Sequence, residues 1–525
     1  MRRLIAAVAI WLVLILPASM DALAPDALLR LPLELPALLL IASTLGQGLA
    51  GRAYCVLAAI ALTLLAVLKI ADMTAREVLG RAFNPVADLT LVDASVRVVA
   101  GSFGTGVAVL AVVASVLLVC IIAASMIWAL RQWQGRSRGP WPAAGAAAML
   151  ALIAGVTASG TTIGAVDAAA TRYAIDRVAL VRRTAVDLAD FRRAAARDPL
   201  ADAPGLLQAI DRDVLVIFLE SYGRASFDVP FYAETHLPNL RRAEAEFAQA
   251  GLAVRSGFLI SPTQGGQSWL AHESFSSGLW TDDQSRYLAA LASGRQGLFH
   301  IARTAGFQTA AIMPAVTMPW PEAETIGFDT VLAAADLGYR GQPFNWVTMP
   351  DQFTLASMDR LLRQGERTRH LFAQIALISS HAPWVPVPRL IDWDDLGDGR
   401  VFDGMASSGD PPSVVWRDRD RMRQQYRLSI DYVLQTVVSY ALRHAENPPL
   451  MIVLGDHQAA ASIALTEIDE VPIHVIGPEA LVARTARWGL APGLIPPVNA
   501  PAIPMQDMRD LILRGFSATD LTPPA

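Results

Sequence analysis

The chain has 525 residues, 53% of them apolar and 17% charged, with a mean hydropathy of +0.37, too apolar for an ordinary soluble enzyme and not apolar enough for a protein that is membrane throughout. Its 43 basic residues include a single lysine, Lys69, at the end of an apolar run, which excludes Walker-type, Schiff-base, Ser-Lys and kinase-type chemistry, all of which need a lysine inside a soluble catalytic fold. The net charge of −5 is uneven, 11 basic against 7 acidic residues over 1–162 and 32 against 41 beyond, and an acidic balance argues against nucleic acid as a partner.

Apolar runs at about 4–20, 33–50, 53–70, 105–130 and 142–162 predict about five transmembrane helices, each needing roughly 20 residues. The first run also has the make-up of a signal peptide: Arg2 and Arg3, an apolar core, then small residues at 22–24. The spans that follow directly favour an anchor. If all five cross, Arg2, Arg3, Arg52, Arg131, Arg136 and Arg138 share one side. The mixed loop 72–100, with Asp72, Arg76, Glu77, Arg81, Asp88, Asp93 and Arg97, lies on the other. The basic side is cytoplasmic, so an odd number of spans places everything after residue 162 outside. Cys55 and Cys120 both fall in these apolar runs, which leaves no disulfide framework and no Cys-based zinc site. Residues 163–210 are Ala- and Arg-rich with helical spacing and read as a juxtamembrane helical linker.

From 211 onward the texture is that of an α/β domain. Strands are predicted at 213–221, 254–260, 307–313, 372–379, 449–455 and 472–477, alternating with helices such as 238–251 and 419–445. The alternation predicts one large domain, 211–525, with a mostly parallel central sheet, behind a transmembrane domain, 1–162. In such sheets ligands bind beyond the carboxyl ends of the strands. Four strand ends carry chemistry. One run stops at Glu220 and Ser221. A second leads into SPTQGGQS and a helix beginning near Ser268. A third ends at His381, and the fourth at Asp456 and His457.

Carboxylates and imidazoles on rigid strand ends make a hard O/N site suited to Zn²⁺ or Mn²⁺. Ser268, after Gly265 and Gly266, sits where a helix N-terminus favours an anion. A metal held by Glu220, Asp456 and His457 would lower its pKa and polarise a phosphoryl oxygen. The chemistry implied is displacement at phosphorus or sulfur through a covalent seryl intermediate, with His381 holding the substrate or serving the leaving group. His236, His300, His370 and His444 have no partner pattern and read as structural.

The motifs VIFLES, the Ser268 loop, ISSHAPW and VLGDHQ resemble the alkaline phosphatase superfamily in its sulfatase-like branch, above all lipoteichoic acid synthases and bacterial phosphoglycerol transferases. That resemblance implies about five membrane helices followed by an extracytoplasmic α/β catalytic domain on a bacterial cytoplasmic membrane. It assigns a divalent metal, Mn²⁺ or Zn²⁺ with Mg²⁺ as a third candidate, to Glu220, Ser268, Asp456 and His457. Ser268 becomes the nucleophile, with His381 and Trp320 contacting the substrate. It also implies a phospholipid headgroup donor and a glycan or other hydroxyl acceptor. The family's usual threonine is a serine here. The His and Arg expected near Trp320 for phosphoglycerol are absent from IMPAVTMPWPEAE, and Ser261-Pro262 lacks the Cys/Ser-x-Pro-x-Arg spacing of formylglycine sulfatases. Three alternatives stay open: a phosphoesterase or sulfatase-type hydrolase of the same superfamily, a metal-independent Ser-His-Asp hydrolase, and an inactive lipid- or glycan-binding envelope protein. The missing Gly-x-Ser-x-Gly elbow counts against the second.

Overall fold

The computed structural model describes residues 1–20, 30–79, 81–89, 92, 95–96, 99–100, 104–135, 140–160, 166–200, 203–345 and 348–518. The chain divides into two units, Met1–Asp187 and Leu188–Ala525. Arg136, Arg138, Asp93, Arg97 and the small residues at 22–24 lie outside the described residues.

The first unit is helical: α1 (Arg2–Ile15), α2 (Glu34–Thr44), α3 (Leu49–Leu79), α4 (Thr105–Trp133), α5 (Trp141–Ser159) and the start of α6 (Ala169–Ala195). Three helices among the described residues are long and apolar enough to cross a membrane: α3 over Leu49–Glu77, α4 and α5. The first two apolar runs form shorter helices than a span requires. Pro17 follows the end of α1 and holds it to 14 residues, about 21 Å at 1.5 Å per residue against a hydrocarbon core of about 30 Å. Gly46 and Gly48 follow α2, which has 11 residues. Leu110, Val116, Leu117 and Ile121 of α4 are all more than half exposed, and a helix that is apolar all round yet uncovered by protein suits a bilayer. Two buried carboxylates are satisfied by α6. Asp72 takes the Tyr173 hydroxyl at 2.7 Å and Arg177 at 3.1 Å. Glu34 takes the Thr171 N–H and hydroxyl at 2.8 and 2.9 Å.

The second unit is built on a nine-stranded sheet. Its strands are β1 (Val214–Leu219), β2 (Ala253–Ile260), β3 (Gln308–Met313), β4 (Thr330–Ala333), β5 (Leu371–Leu377), β6 (Leu450–Gly455), β7 (Glu470–Gly477), β8 (Ala491–Pro492) and β9 (Ala502–Pro504). The order is β8-β2-β7-β6-β1-β5-β3-β4, with β9 also on β2. A mostly parallel sheet was the expectation; the sheet is mixed. From β6 through β1, β5 and β3 to β4 it is parallel, but β7 runs against both β6 and β2, and β8 runs against β2. Two reversals leave β2 pointing the same way as β6, so its carboxyl end still joins the common edge.

Both faces of the sheet are buried. Leu215, Ile217 and Leu219 of β1 pack against α7 (Pro230–Gln249), α9 (Asp351–Met358) and α10 (Arg419–Arg443). Val214, Val216 and Phe218 pack on the other face with α8 (Ser268–Ser277) and the helix Leu298–Thr304. At about 25 cal/mol per Å², this two-sided burial makes the near-continuous apolar runs of β1 and β6 the mechanical base of whatever their tips carry.

Candidate active site

β1 and β6 are parallel neighbours with Leu219 opposite Gly455. Alternation along a strand has period two. Glu220 therefore shares its side of the sheet with Val216 and Phe218, Asp456 shares its side with Ile452 and Leu454, and both sides are the one α8 covers. β1 stops at Ser221, whose φ of +59° turns the chain. The Ser221 N–H donates to Asp456 Oδ1 at 2.9 Å and its hydroxyl to Glu220 Oε1 at 3.0 Å. Tyr426 from α10 donates to the Ser221 carbonyl at 2.7 Å. β6 stops at Gly455, where a Cβ would lie 1.8 Å from the Tyr222 carbonyl oxygen.

The third ligand follows in sequence. His457 Nδ1 donates to the Gln458 carbonyl at 3.0 Å. That leaves Nε2, 3.2 Å from Glu220 Oε1 and 3.9 Å from Asp456 Oδ1, with no hydrogen-bond partner among the described residues. Ligand atoms of Glu220, Asp456 and His457 all lie within 4.8 Å of one another, and all three residues are buried. Burial alone would favour the neutral Glu220, yet the adjacent His457 holds its carboxyl well below the usual range. Burial, reinforced by the Glu220 charge, pushes Asp456 up to about 7. Burial opposes charge on His457 too, but Asp456 and Glu220 outweigh it and raise the imidazole to about 9. Two buried carboxylates and an imidazole oriented through its far nitrogen fit a divalent cation, whose ligating histidines characteristically anchor the other ring nitrogen on a carbonyl or carboxylate.

Ser268 is the first residue of α8. Gly265, Gly266 and Gln267 before it have φ of +74°, +151° and +66°, a run of backbone that glycine adopts without strain and that turns the chain sharply into the helix. The Ser268 hydroxyl donates to Glu220 Oε2 at 3.0 Å, so it reaches the buried set through the glutamate oxygen not taken by Ser221. His381 follows β5 and is exposed, its Nδ1 donating to the Ala382 carbonyl at 2.6 Å. Ser380 beside it donates to the Glu220 carbonyl at 2.6 Å, and His381 acts electrostatically on Glu220. Trp320 packs on Phe328 with ring centres 6.2 Å apart. The structure thus brings Glu220, Ser268, Asp456 and His457 together with His381 on the adjoining strand end, while Trp320 packs on Phe328.

Among the other histidines, His236 is buried with Nε2 on the Arg427 carbonyl at 3.0 Å, and His444 meets Asp359 at 2.8 Å. Two residues next to the site carried no signal in the sequence reading. Asp351, fully buried at the start of α9, accepts the N–H groups of Ile378 at 2.7 Å and Ser379 at 3.1 Å and so fixes the turn after β5. His272, one turn along α8 from Ser268, lies against Phe218 with ring centres 4.0 Å apart and ring planes tilted by 42°. An i, i+4 spacing from the nucleophile was the available clue to His272; Asp351 had none.

Residues 212–465 match the family model described as Sulfatase, a stretch that contains all of these site residues. No curated protein matches the chain. Among solved structures, the chain is similar to the lipoteichoic acid synthase LtaP from Listeria monocytogenes, at 13% identity over 62% of this chain and 81% of that one, TM-score 0.37. It is similar to the C-terminal periplasmic domain of phosphoethanolamine transferase EptC from Campylobacter jejuni, at 11% identity over 57% and 88%, TM-score 0.35. A third likeness is to the phosphoglycerol transferase GacH from Streptococcus pyogenes, at 13% identity over 64% and 92%, TM-score 0.35. Residues 212–465, a little under half of the chain, are thus similar to the sulfatase family, and they hold the buried carboxylate–imidazole set and the facing serine.

Proposed function

We propose that the chain is a membrane-anchored, metal-dependent phosphotransferase that moves a phospholipid headgroup to an envelope glycan or another hydroxyl acceptor through a phospho-Ser268 intermediate. The observation that carries this reading is the Ser268 hydroxyl on Glu220 Oε2, 3.0 Å away, at the edge of the buried Glu220–Asp456–His457 set. Glu220, Asp456, His457 and the Ser268 hydroxyl would hold a divalent cation, Mn²⁺ or Zn²⁺, which lowers the serine pKa and offsets charge on the phosphoryl oxygens. The remaining steps belong to the chain's own residues. Ser268 Oγ forms a bond to phosphorus as the bond from phosphorus to the lipid alcohol breaks, and its proton passes to solvent. The departing alkoxide takes up a proton from His381 or from water. In the second half the acceptor oxygen bonds to phosphorus, the bond to Oγ breaks, and Ser268 recovers its proton while the acceptor loses one. With water as acceptor the same sequence is hydrolysis, the phosphoesterase reading.

In this reading 1–162 anchors the enzyme, 163–210 connects, and 211–525 is catalytic on the outer side of the cytoplasmic membrane. The helices α1 and α2 would complete five spans. His381 and Trp320, each just after a parallel strand, would line the headgroup site. The test uses the full chain in detergent, loaded with Mn²⁺ or Zn²⁺ and incubated with a glycerophospholipid. Phosphorylated Ser268 should appear by mass spectrometry and vanish in Ser268→Ala and after exhaustive chelation. Turnover that survives chelation overturns the metal reading, and full complementation of a deletion strain by Ser268→Ala overturns catalysis.

A further inference from the structure

Beneath Ser268 lies a donor that the reaction as written does not use. His272 is on the same face of α8 as Ser268, one turn later. Its ring covers Phe218, which shares a strand face with Glu220 two residues on. On the far side, Gln374 Nε2 of β5 is 3.4 Å from His272 Nδ1. An amide NH₂ only donates, so Nδ1 accepts and the ring hydrogen sits on Nε2. That N–H is buried and has no partner among the described residues. Both Glu220 and His457 lie within electrostatic reach of the ring. The Glu220 oxygens, however, already face Ser221, Ser268 and His457. A buried N–H left unpaired in a native fold is rare and calls for an explanation. What would pair it is an acceptor that arrives with the substrate.

We propose that His272 is a further catalytic residue, donating from Nε2–H to a non-bridging oxygen of the phosphoryl group while that group is carried on Ser268. The inference rests on the phospho-Ser268 reading above. Burial drives the imidazole down to about 4, so at neutral pH it is an uncharged donor and adds no positive charge beside a cation site. A preorganised donor costs no reorganisation during the reaction.

The experiment compares wild type, His272→Phe and His272→Gln as full chains with the metal bound. The phenylalanine keeps the ring over Phe218 without a donor, and the glutamine restores an N–H. With bis(p-nitrophenyl) phosphate in single turnover, His272→Phe should phosphorylate Ser268 about 10²-fold more slowly, at unchanged metal content and melting temperature. His272→Gln should recover part of that loss. Wild-type rates in His272→Phe, or a loss that glutamine does not reduce, overturn the proposal. A second readout needs neither turnover nor a variant that folds: the ring ¹⁵N spectrum of wild type should show the Nε2–H tautomer and shift on adding inorganic phosphate. An Nδ1–H tautomer, or a ring blind to phosphate, overturns it as well. If wild type itself yields no phospho-Ser268 while the ring still responds to phosphate, the phosphotransferase reading has failed and the donor has not.

Discussion

At the scale of single residues, the site is a problem in proton bookkeeping. Glu220, Asp456 and His457 are buried at one point, where like charges repel and water cannot screen them. Asp456 is raised to about 7 by burial and then by Glu220, and His457 is raised to about 9 against burial by Asp456 and Glu220. Without a cation the set therefore keeps protons that a ligand-forming carboxylate and imidazole must lose. Cation binding should release them, so affinity should rise with pH by about tenfold per unit for each proton displaced. The rise should be steepest below about 7, where both groups hold protons, and should flatten above about 9. Calorimetric titration of Zn²⁺ or Mn²⁺ into the full chain at pH 6, 7 and 8 measures the slope; an affinity level across that range would place the cation elsewhere. Glu220→Gln should weaken cation binding at every pH and also loosen Ser268, whose hydroxyl it holds. Most of this set was legible in the sequence because each member directly follows an apolar run. Asp351 was not. It lies 27 residues before Ile378, and only the folded sheet makes the two neighbours.

At the scale of elements, the register between β1 and β6 sets the ligands, and two residues show how tightly. Gly455 packs on the Tyr222 carbonyl so closely that a Cβ would sit 1.8 Å away, and that neighbour is backbone, unable to rotate aside. Gly455→Ala should cost about 1–3 kcal/mol and displace Asp456 next to it, read as a lower denaturation midpoint together with weaker metal binding. Loss of neither would mean the strands slide freely. His474 in β7 is buried, with Ser256 at 2.7 Å from Nδ1 and Tyr222 at 3.1 Å from Nε2, and burial depresses it to about 3. A depressed pKa stabilises the fold above the unfolded value near 6.5 and loses that contribution as pH falls toward the folded value. Between pH 6.5 and about 4 this one group should cost about 1.4 kcal/mol per unit, steepening acid unfolding relative to His474→Gln. The strands carrying the site were readable from their β-branched apolar runs. The direction of β7 was not, because direction is set by the connection. Residues 456–469 carry the ligands and one four-residue helix, which returns the chain antiparallel rather than through a long helical crossover. The strands 330–333, 491–492 and 502–504 are too short to show a period at all.

For the whole molecule, the number of spans matters less than whether it is odd. Three helices among the described residues are long and apolar enough to cross, and five were expected; α1 and α2 either both count or both do not in these two readings. In each case Arg52 and Arg131 fall on one side and residues after α5 emerge on the other. Under the proposed function the positive-inside rule would assign Arg52 and Arg131 to the cytoplasm, which would put the catalytic domain outside. The phospholipid donor of the proposed function would then come from the outer leaflet. The chain offers a clean way to test this, since its two cysteines, Cys55 and Cys120, lie inside α3 and α4 and can both be replaced by alanine. Gly48, exposed just before α3, and Ser408, exposed in the second unit, then serve as single-cysteine reporters, and a Cβ at Gly48 meets nothing within 4 Å. A membrane-impermeant maleimide should label Ser408→Cys in intact spheroplasts and Gly48→Cys only after lysis. The reverse pattern would mean an odd number of crossings in the inverted orientation and a cytoplasmic catalytic domain, and with it a donor drawn from the inner leaflet; like labelling of both positions would mean an even number of crossings between them.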